Sequence, residues 1–245
     1  MSVAEEGSGT RAQRIAANLR VLGERVRTAS EKAGRAADDV AIVAVTKTYP
    51  ASDVRILAEL GISDIGENRD QEAAAKAAEC GDLDVRWHFV GQLQTNKARS
   101  VAQYADVVHS VDRVRLASAL GSRARAAERE LTCLVQVNLD PDAAAGVLGP
   151  RGGVHPGDAA AVADAIAGES GLTVGGVMAV APRGDDPANA FERLYSVASA
   201  IRDRYPQATV ISAGMSGDLV AAVEHGATHL RIGTALLGDR GSNVG

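Results

Sequence analysis

The sequence predicts an α/β fold: a single-domain (β/α)8 TIM barrel with an extra N-terminal helix. Three observations point there. Eight short runs rich in Val, Ile, Leu and Ala alternate with helical patterns, and strict alternation means parallel strands joined by right-handed crossovers. Eight such units fit within 245 residues, near the size of one barrel. The competing open, doubly wound sheet needs a glycine-rich phosphate turn after an early strand, and no GxGxxG or Walker sequence occurs.

Taken in order, residues 1–9 are predicted to be a disordered tail, the barrel to span 10–238, and 239–245 to form a flexible C-terminal tail. Ile15, Leu19, Leu22 and Val26 recur at helical spacing, so a helix should run to about Lys32 and cover the gap beside strand eight. The first strand is expected at 41–46. ASDVRILAELG is a short helix that Gly61 closes, and ISDIGEN a strand and turn. Helices are expected at RDQEAAAKAAEC, LQTNKARSVAQY and VRLASALGSRARAAERE, with strands VRWHFVG, DVVHSVD and LTCLVQVNL between and after them. The Gly/Pro-rich DPDAAAGVLGPRGGVHPGD reads as a long loop. Pro156 is placed for the next helix start, and LTVGGVMAV, PANAFERLYSVASAIRDRY, ATVISAG and GDLVAAVEHG continue the alternation. THLRIGTALLG is the last strand and the turn beyond it.

Composition excludes several classes. Only 3% of residues are aromatic, so the core must be aliphatic. A net charge of −5, with scattered basic residues, lacks the footprint of a nucleic-acid binder. Cys80 and Cys133 have no metal-type spacing and read as buried structural thiols. MSVAEEGSGT has neither the basic nor the apolar region of a signal peptide, and no run is long enough to span a membrane, so the cytoplasm is the expected location.

In a barrel the chemistry sits at the C-terminal ends of the strands. AIVAVTK, a core strand, stops on Lys47. The plain reading is an amine reaching water along its apolar stem. The other follows from strand alternation: Lys47 shares the inward face of Val43 and Val45, where desolvation would lower its pKa and make it a nucleophile toward aldehydes. SAGMSG, after strand seven, runs into a helix with Ser216 at the N-cap, and Gly233 and Thr234 follow strand eight. The two turns together suit a phosphate, although Ser216 could simply cap its own helix. Alternation also turns Arg231 into the barrel, where it needs an ion-pair partner such as Glu67 or a ligand. An amine, a phosphate cradle and an arginine in one mouth fit pyridoxal 5′-phosphate (PLP). A Schiff-base aldolase acting on a sugar phosphate fits the first two and leaves Arg231 without a role. His88, His109, His155, His225 and His229 are scattered along the chain and form no metal-ligand pattern.

VTKTYP, IGENRDQE, WHFVGQLQTNK and SAGMSGDLVAAVEHGATHLRIGTALLG closely resemble the pyridoxal phosphate homeostasis protein family, over about residues 10 to 238. The resemblance implies the barrel of bacterial alanine racemase without that enzyme's β-domain. It implies that Lys47 carries the cofactor as an internal aldimine and that Asn68 lines the site. It places Ser212, Ser216, Gly233 and Thr234 at the phosphate and Arg231 at the pyridine nitrogen. The family is regarded as binding and buffering PLP without turnover, with apo forms of PLP-dependent enzymes as candidate recipients. No residue is assigned a catalytic role and no metal is implied. Without a racemase partner domain, a monomer is expected. A racemase or lyase using the same lysine is the alternative, and it would need a proton-transfer residue, for which His88 and Tyr49 are the candidates. The chain departs from the family pattern where Arg151 stands for the lysine of a second motif, and an arginine cannot form a Schiff base. SAGMS for SMGMS is a mild departure, and Arg69 and Asp70 replace apolar residues.

Overall fold

A closed ring of eight parallel strands organises the computed structural model, which describes residues 9–140 and 152–238. The strands are β1 (Ala41–Val45), β2 (Asp64–Glu67), β3 (Arg86–Phe89), β4 (Val107–Val111), β5 (Leu131–Gln136), β6 (Leu172–Met178), β7 (Val210–Ser212) and β8 (His229–Ile232). They pair in chain order, and β8 returns to β1 with Ala41 opposite His229 and Val43 opposite Arg231. The helices are α1 (Arg11–Lys32), α2 (Ala51–Glu59), α3 (Asp70–Glu79), α4 (Ala98–Tyr104), α5 (Val114–Ala126), α6 (Ala159–Ala167), α7 (Pro187–Arg204), α8 (Leu219–Glu224) and α9 (Thr234–Leu237). The predicted barrel is thus present. The tails, apart from Gly9, lie outside the described residues, as does the loop over 141–151 with Arg151.

The sequence dictates this shell through alternation. Outward-facing Ala44, Ile65, Trp87, Phe89, Val108, Leu230 and Ile232 are buried against the helices. Helix α1 starts in a capping box: the Thr10 hydroxyl accepts from the Gln13 N–H at 3.2 Å, and the Gln13 amide oxygen accepts from the Thr10 N–H at 2.8 Å. Its buried stripe of Ile15, Leu22, Val26 and Ala29 packs on α8 and α9, covering the β8 side as predicted.

Several boundaries differ from the sequence reading. The segment expected to be helical from Leu93 opens instead with a 3-10 turn at Thr95–Lys97 before α4. The turn beyond β8 is itself a short helix, α9. Helix α8 starts at Leu219 with Asp218 as its N-cap, so Ser216 is not the cap. Asp218 supplies the reason: its carboxylate accepts the Met215 N–H at 2.6 Å, and the Asp218 N–H bonds to the Met215 carbonyl at 3.2 Å. That closes a separate turn over 215–218 ahead of the helix.

The Gly-Gly pair in β6 has a specific use. Opposite β5 the register shifts from Cys133–Val174 to Leu134–Gly176, so Gly175 is the extra residue of a bulge. Gly176 has φ +143°, and a Cβ there would lie 1.9 Å from the Val210 carbonyl oxygen of β7. Backbone cannot yield as a flexible side chain can. Gly176→Ala is therefore expected to destabilise the barrel by about 3 kcal/mol or more. Urea unfolding followed by far-UV circular dichroism measures this, and an unchanged midpoint would contradict the close approach of β6 to β7.

Candidate functional site

Lys47 lies just past β1, at the corner of a turn that the Tyr49 N–H closes onto the Thr46 carbonyl at 3.0 Å. It is exposed, not sheltered as strand alternation predicted. The physical reason is that the strand ends at Val45, so alternation no longer sets the direction of the lysine side chain. Thr48 has φ +68°, a conformation that costs a β-branched residue roughly 1–2 kcal/mol. Its N–H donates to the Glu72 carboxylate and its hydroxyl donates to the Lys47 carbonyl. Strain of this kind persists only where the surroundings over-determine it.

Those surroundings include a buried ion pair. Glu67 accepts from Lys76 and, at 2.6 Å, from the Thr46 hydroxyl; Lys76 also donates to the Thr46 carbonyl at 2.8 Å. Glu67 is thus the partner of Lys76, not of Arg231. Strand β2 and helix α3 together clamp the residue before Lys47. Asn68, which follows Glu67, has a buried amide oxygen with no partner among the described residues. Gly91 presses on its backbone so closely that a Cβ would meet the Asn68 carbonyl oxygen at 2.3 Å.

The turns after β7 and β8 flank this mouth. Among the described residues, the backbone N–H groups of Ser216, Gly217 and Gly233 donate to no protein acceptor. Those of Thr234 and Ala235, in the first turn of α9, have no intrahelical acceptor. Helix α1 holds both turns: Arg25 donates to the Ser216 carbonyl at 3.0 Å, Asn18 to Leu236 at 3.0 Å and Arg11 to Leu237 at 2.6 Å.

Arg231 points into the barrel, as alternation predicted, and is buried. Its Nη1 donates to the carbonyl and the hydroxyl of Ser212, each at 2.7 Å, and its Nη2 to the Ala179 carbonyl at 2.7 Å. Burial pulls its pKa down to about 10, against the attraction of Asp218, which leaves a cation at neutral pH. The Ser212 hydroxyl is therefore engaged inside the barrel rather than offered to the exposed turn.

The chain has four lysines. Lys76 is buried in its ion pair, and Lys32 ends α1 on the rim where the strands begin. Lys97 follows β3 with its amine 3.8 Å from Asp70. Lys47 alone follows β1, the neighbour of β8 and its turn.

The family model for the alanine racemase N-terminal domain matches residues 12–241. A pyridoxal phosphate homeostasis protein of Mycobacterium tuberculosis H37Rv is 42% identical, over 91% of each chain. The chain belongs to the pyridoxal phosphate homeostasis protein family. PipY of Synechococcus elongatus, solved with PLP bound, is 33% identical with a TM-score of 0.77, over 91% of this chain and 100% of that one. Alanine racemase of Clostridium difficile shares the fold at 13% identity and a TM-score of 0.69, over 94% of this chain and 58% of that one.

In this family member the structure also joins residues that the sequence left apart. The His88 Nδ1 lies 2.8 Å from the His109 Nε2, the His88 Nε2 2.8 Å from Asp64 Oδ1, and the His109 Nδ1 3.0 Å from the Ser212 hydroxyl. Each histidine has at least one outward apolar neighbour, in WHF, VHS and HLR, and that was the available signal. His155 and His225 lie elsewhere, beside α6 and α8. Cys80 and Cys133 are free, buried thiols, and burial pushes Cys133 up to about 12.

Asp64 gives the barrel a measurable acid sensitivity. Burial raises its carboxyl pKa, but hydrogen bonds from His88 and Arg86 outweigh this and hold it at about 2 rather than 3.8. A folded-state pKa below the unfolded one stabilises the fold above about pH 4, and that contribution disappears as the pH falls toward 2. We expect it to be worth roughly 2 kcal/mol. Urea unfolding from pH 6 down to pH 2.5 should show the loss in the wild type and a flatter profile in Asp64→Asn; parallel profiles would contradict the assignment.

Proposed function

We propose that this chain binds PLP reversibly as a Schiff base on Lys47 and serves in the supply of that cofactor inside the cell, without catalytic turnover. The observation that carries the reading is one rim of the barrel. It sets a lysine on a braced turn, two turns with free backbone N–H groups, and a buried arginine cation within the three neighbouring strands β7, β8 and β1. PipY, with PLP bound and matching along its whole length, supports the cofactor's identity.

The residues present fit the group. The N–H groups of Ser216, Gly217, Gly233 and Thr234 would hold the phosphate, with the two hydroxyls beside them. The unpartnered oxygen of Asn68 is a polar atom waiting for a ligand. Arg231, with N–H donors beyond those it gives to Ser212 and Ala179, would face the pyridine nitrogen. Ser212 would serve by fixing Arg231 rather than by gripping the phosphate. When bound, the cofactor supplies an aldehyde that exchanges between amines. The protein's part is to present an exposed Lys47, brace its turn through Glu67 and Lys76, and keep a cation at the ring nitrogen, which disfavours protonation there.

The places where the two proton-transfer candidates are committed support the reading without turnover. The Tyr49 hydroxyl donates to the Gly238 carbonyl at 2.6 Å, and both ring nitrogens of His88 are engaged inside the barrel. All residues assigned to the cofactor come from one chain, so we propose a monomer that delivers PLP to apo forms of PLP-dependent enzymes.

Purified protein supplied with PLP should turn yellow, and Lys47→Ala should lose the visible band while keeping its fold. Incubation of the loaded protein with L- and D-amino acids should give no multiple-turnover racemisation or ammonia release. A wild type that takes up no cofactor would defeat the binding claim; sustained turnover would defeat the claim that it is not an enzyme.

A further inference from the structure

We propose that Asp64, His88 and His109 are positioning residues for the cofactor, forming with Ser212 and Arg231 a one-way hydrogen-bonded chain along the barrel axis. The inference rests on the proposed PLP site and adds residues that have no contact with the predicted ligand turns.

The two ends of the chain have fixed roles, and one assignment keeps both rings neutral. Arg231 carries only donors, and ionised Asp64 offers only acceptors. Starting from the top, Arg231 Nη1 donates to the Ser212 Oγ at 2.7 Å. The Ser212 hydroxyl proton then points to the His109 Nδ1, 3.0 Å away. His109 Nε2–H donates to the His88 Nδ1 at 2.8 Å, and His88 Nε2–H donates to Asp64 Oδ1 at 2.8 Å. In this arrangement each ring carries a single proton, on Nε2. Reversing either ring requires a proton on Asp64 or a second proton on His88. Asp64 resists the first, being held by Arg86 as well as His88. His109 is fully buried, and burial above all drives its pKa well below the ordinary value.

A third histidine and a cavity flank this chain. His229 lies beside it, with ring centroids 6.3 Å from His88, but its Nδ1 bonds to the Thr228 hydroxyl at 2.9 Å. Below the rings, a cavity of about 260 Å³ is bounded by Arg86, His88, His109, Thr132, Gln207 and His229 on the rim opposite the ligand turns. Four strands, β2, β3, β4 and β7, thus contribute one side chain each to hold a residue of the fifth, β8. With its proton taken by His109, the Ser212 hydroxyl is held in one rotamer that keeps a lone pair toward Arg231. Without that acceptor the hydroxyl is free to turn its proton toward the guanidinium, where it repels. Arg231 then keeps its two carbonyl acceptors and loses the third of the contacts that set its direction toward the ring nitrogen.

Two measurements test this. The first needs no cofactor: long-range ¹⁵N–¹H correlation spectra of ¹⁵N-histidine protein near neutral pH should show His88 and His109 both neutral with the proton on Nε2. Observation of His88 as an imidazolium, or of His109 protonated on Nδ1, would overturn the one-way chain even if PLP binding proves real. The second compares His109→Phe with His109→Gln in the loaded protein. Glutamine can still accept from Ser212 and donate to His88; phenylalanine can do neither. We expect His109→Phe to weaken PLP binding by at least about tenfold, the scale of one lost hydrogen bond to a charged group. We also expect it to shift the visible absorption maximum, and His109→Gln to restore both. Equal binding and identical spectra in wild type and both variants would refute the positioning role. If His109→Phe does not fold, failure of folded His109→Gln to hold the wild-type spectrum and affinity refutes it equally. A wild type that binds no PLP defeats the proposed function while leaving the first measurement decisive for the chain.

Discussion

The Arg231 guanidinium is a full charge inside a strand barrel, and the groups around it have to compensate for lost water. Leaving such a charge without a partner costs several kcal/mol, about 3–5 when a partner is removed. Among the described residues no carboxylate touches it. Instead the Ala179 and Ser212 carbonyls and the Ser212 hydroxyl take its protons, and the nearest anion along that route, Asp64, stands at the far end of two histidines. Carbonyl and hydroxyl partners leave the cation less neutralised than a touching carboxylate would. That suits a residue whose proposed task is to face a ring nitrogen.

A second ion pair supports the rim in a different way. Glu67 and Lys76 are both buried, and both reach Thr46, so the end of β1 cannot move without breaking a charged contact. The strained Thr48 and the exposed Lys47 follow immediately. Rigid support under a solvent-facing amine suits the proposed reversible loading: the backbone is set in advance, and the amine remains reachable from solvent. On the other side of the mouth, α1 uses Arg11, Asn18 and Arg25 to hold carbonyls of the two turns, which leaves their N–H groups directed elsewhere.

Much of this was legible in the residues. Apolar runs bounded by helical patterns gave the barrel, and the two-residue period of HLRI turned Arg231 inward correctly. Period arguments failed where regular structure ended. At Lys47 the strand had already stopped, and at Ser216 a following aspartate captured the turn that the serine was expected to cap. The pairing of Glu67 with Lys76 needed the nine-residue return from β2 through α3, which strand alternation does not describe. The histidine chain was hidden for another reason. Its members sit on separate strands, and only the register His88–Gly66 and the closure of the ring bring them to one axis.

Trapping the lysine chemically tests the central claim most directly. The protein is mixed with PLP, reduced with borohydride, digested and mapped by mass spectrometry. With only Lys32, Lys47, Lys76 and Lys97 available, the account predicts a stable pyridoxyl phosphate adduct on Lys47 at near-stoichiometric yield. An adduct concentrated on Lys97 or another lysine, or no adduct at all, would contradict it.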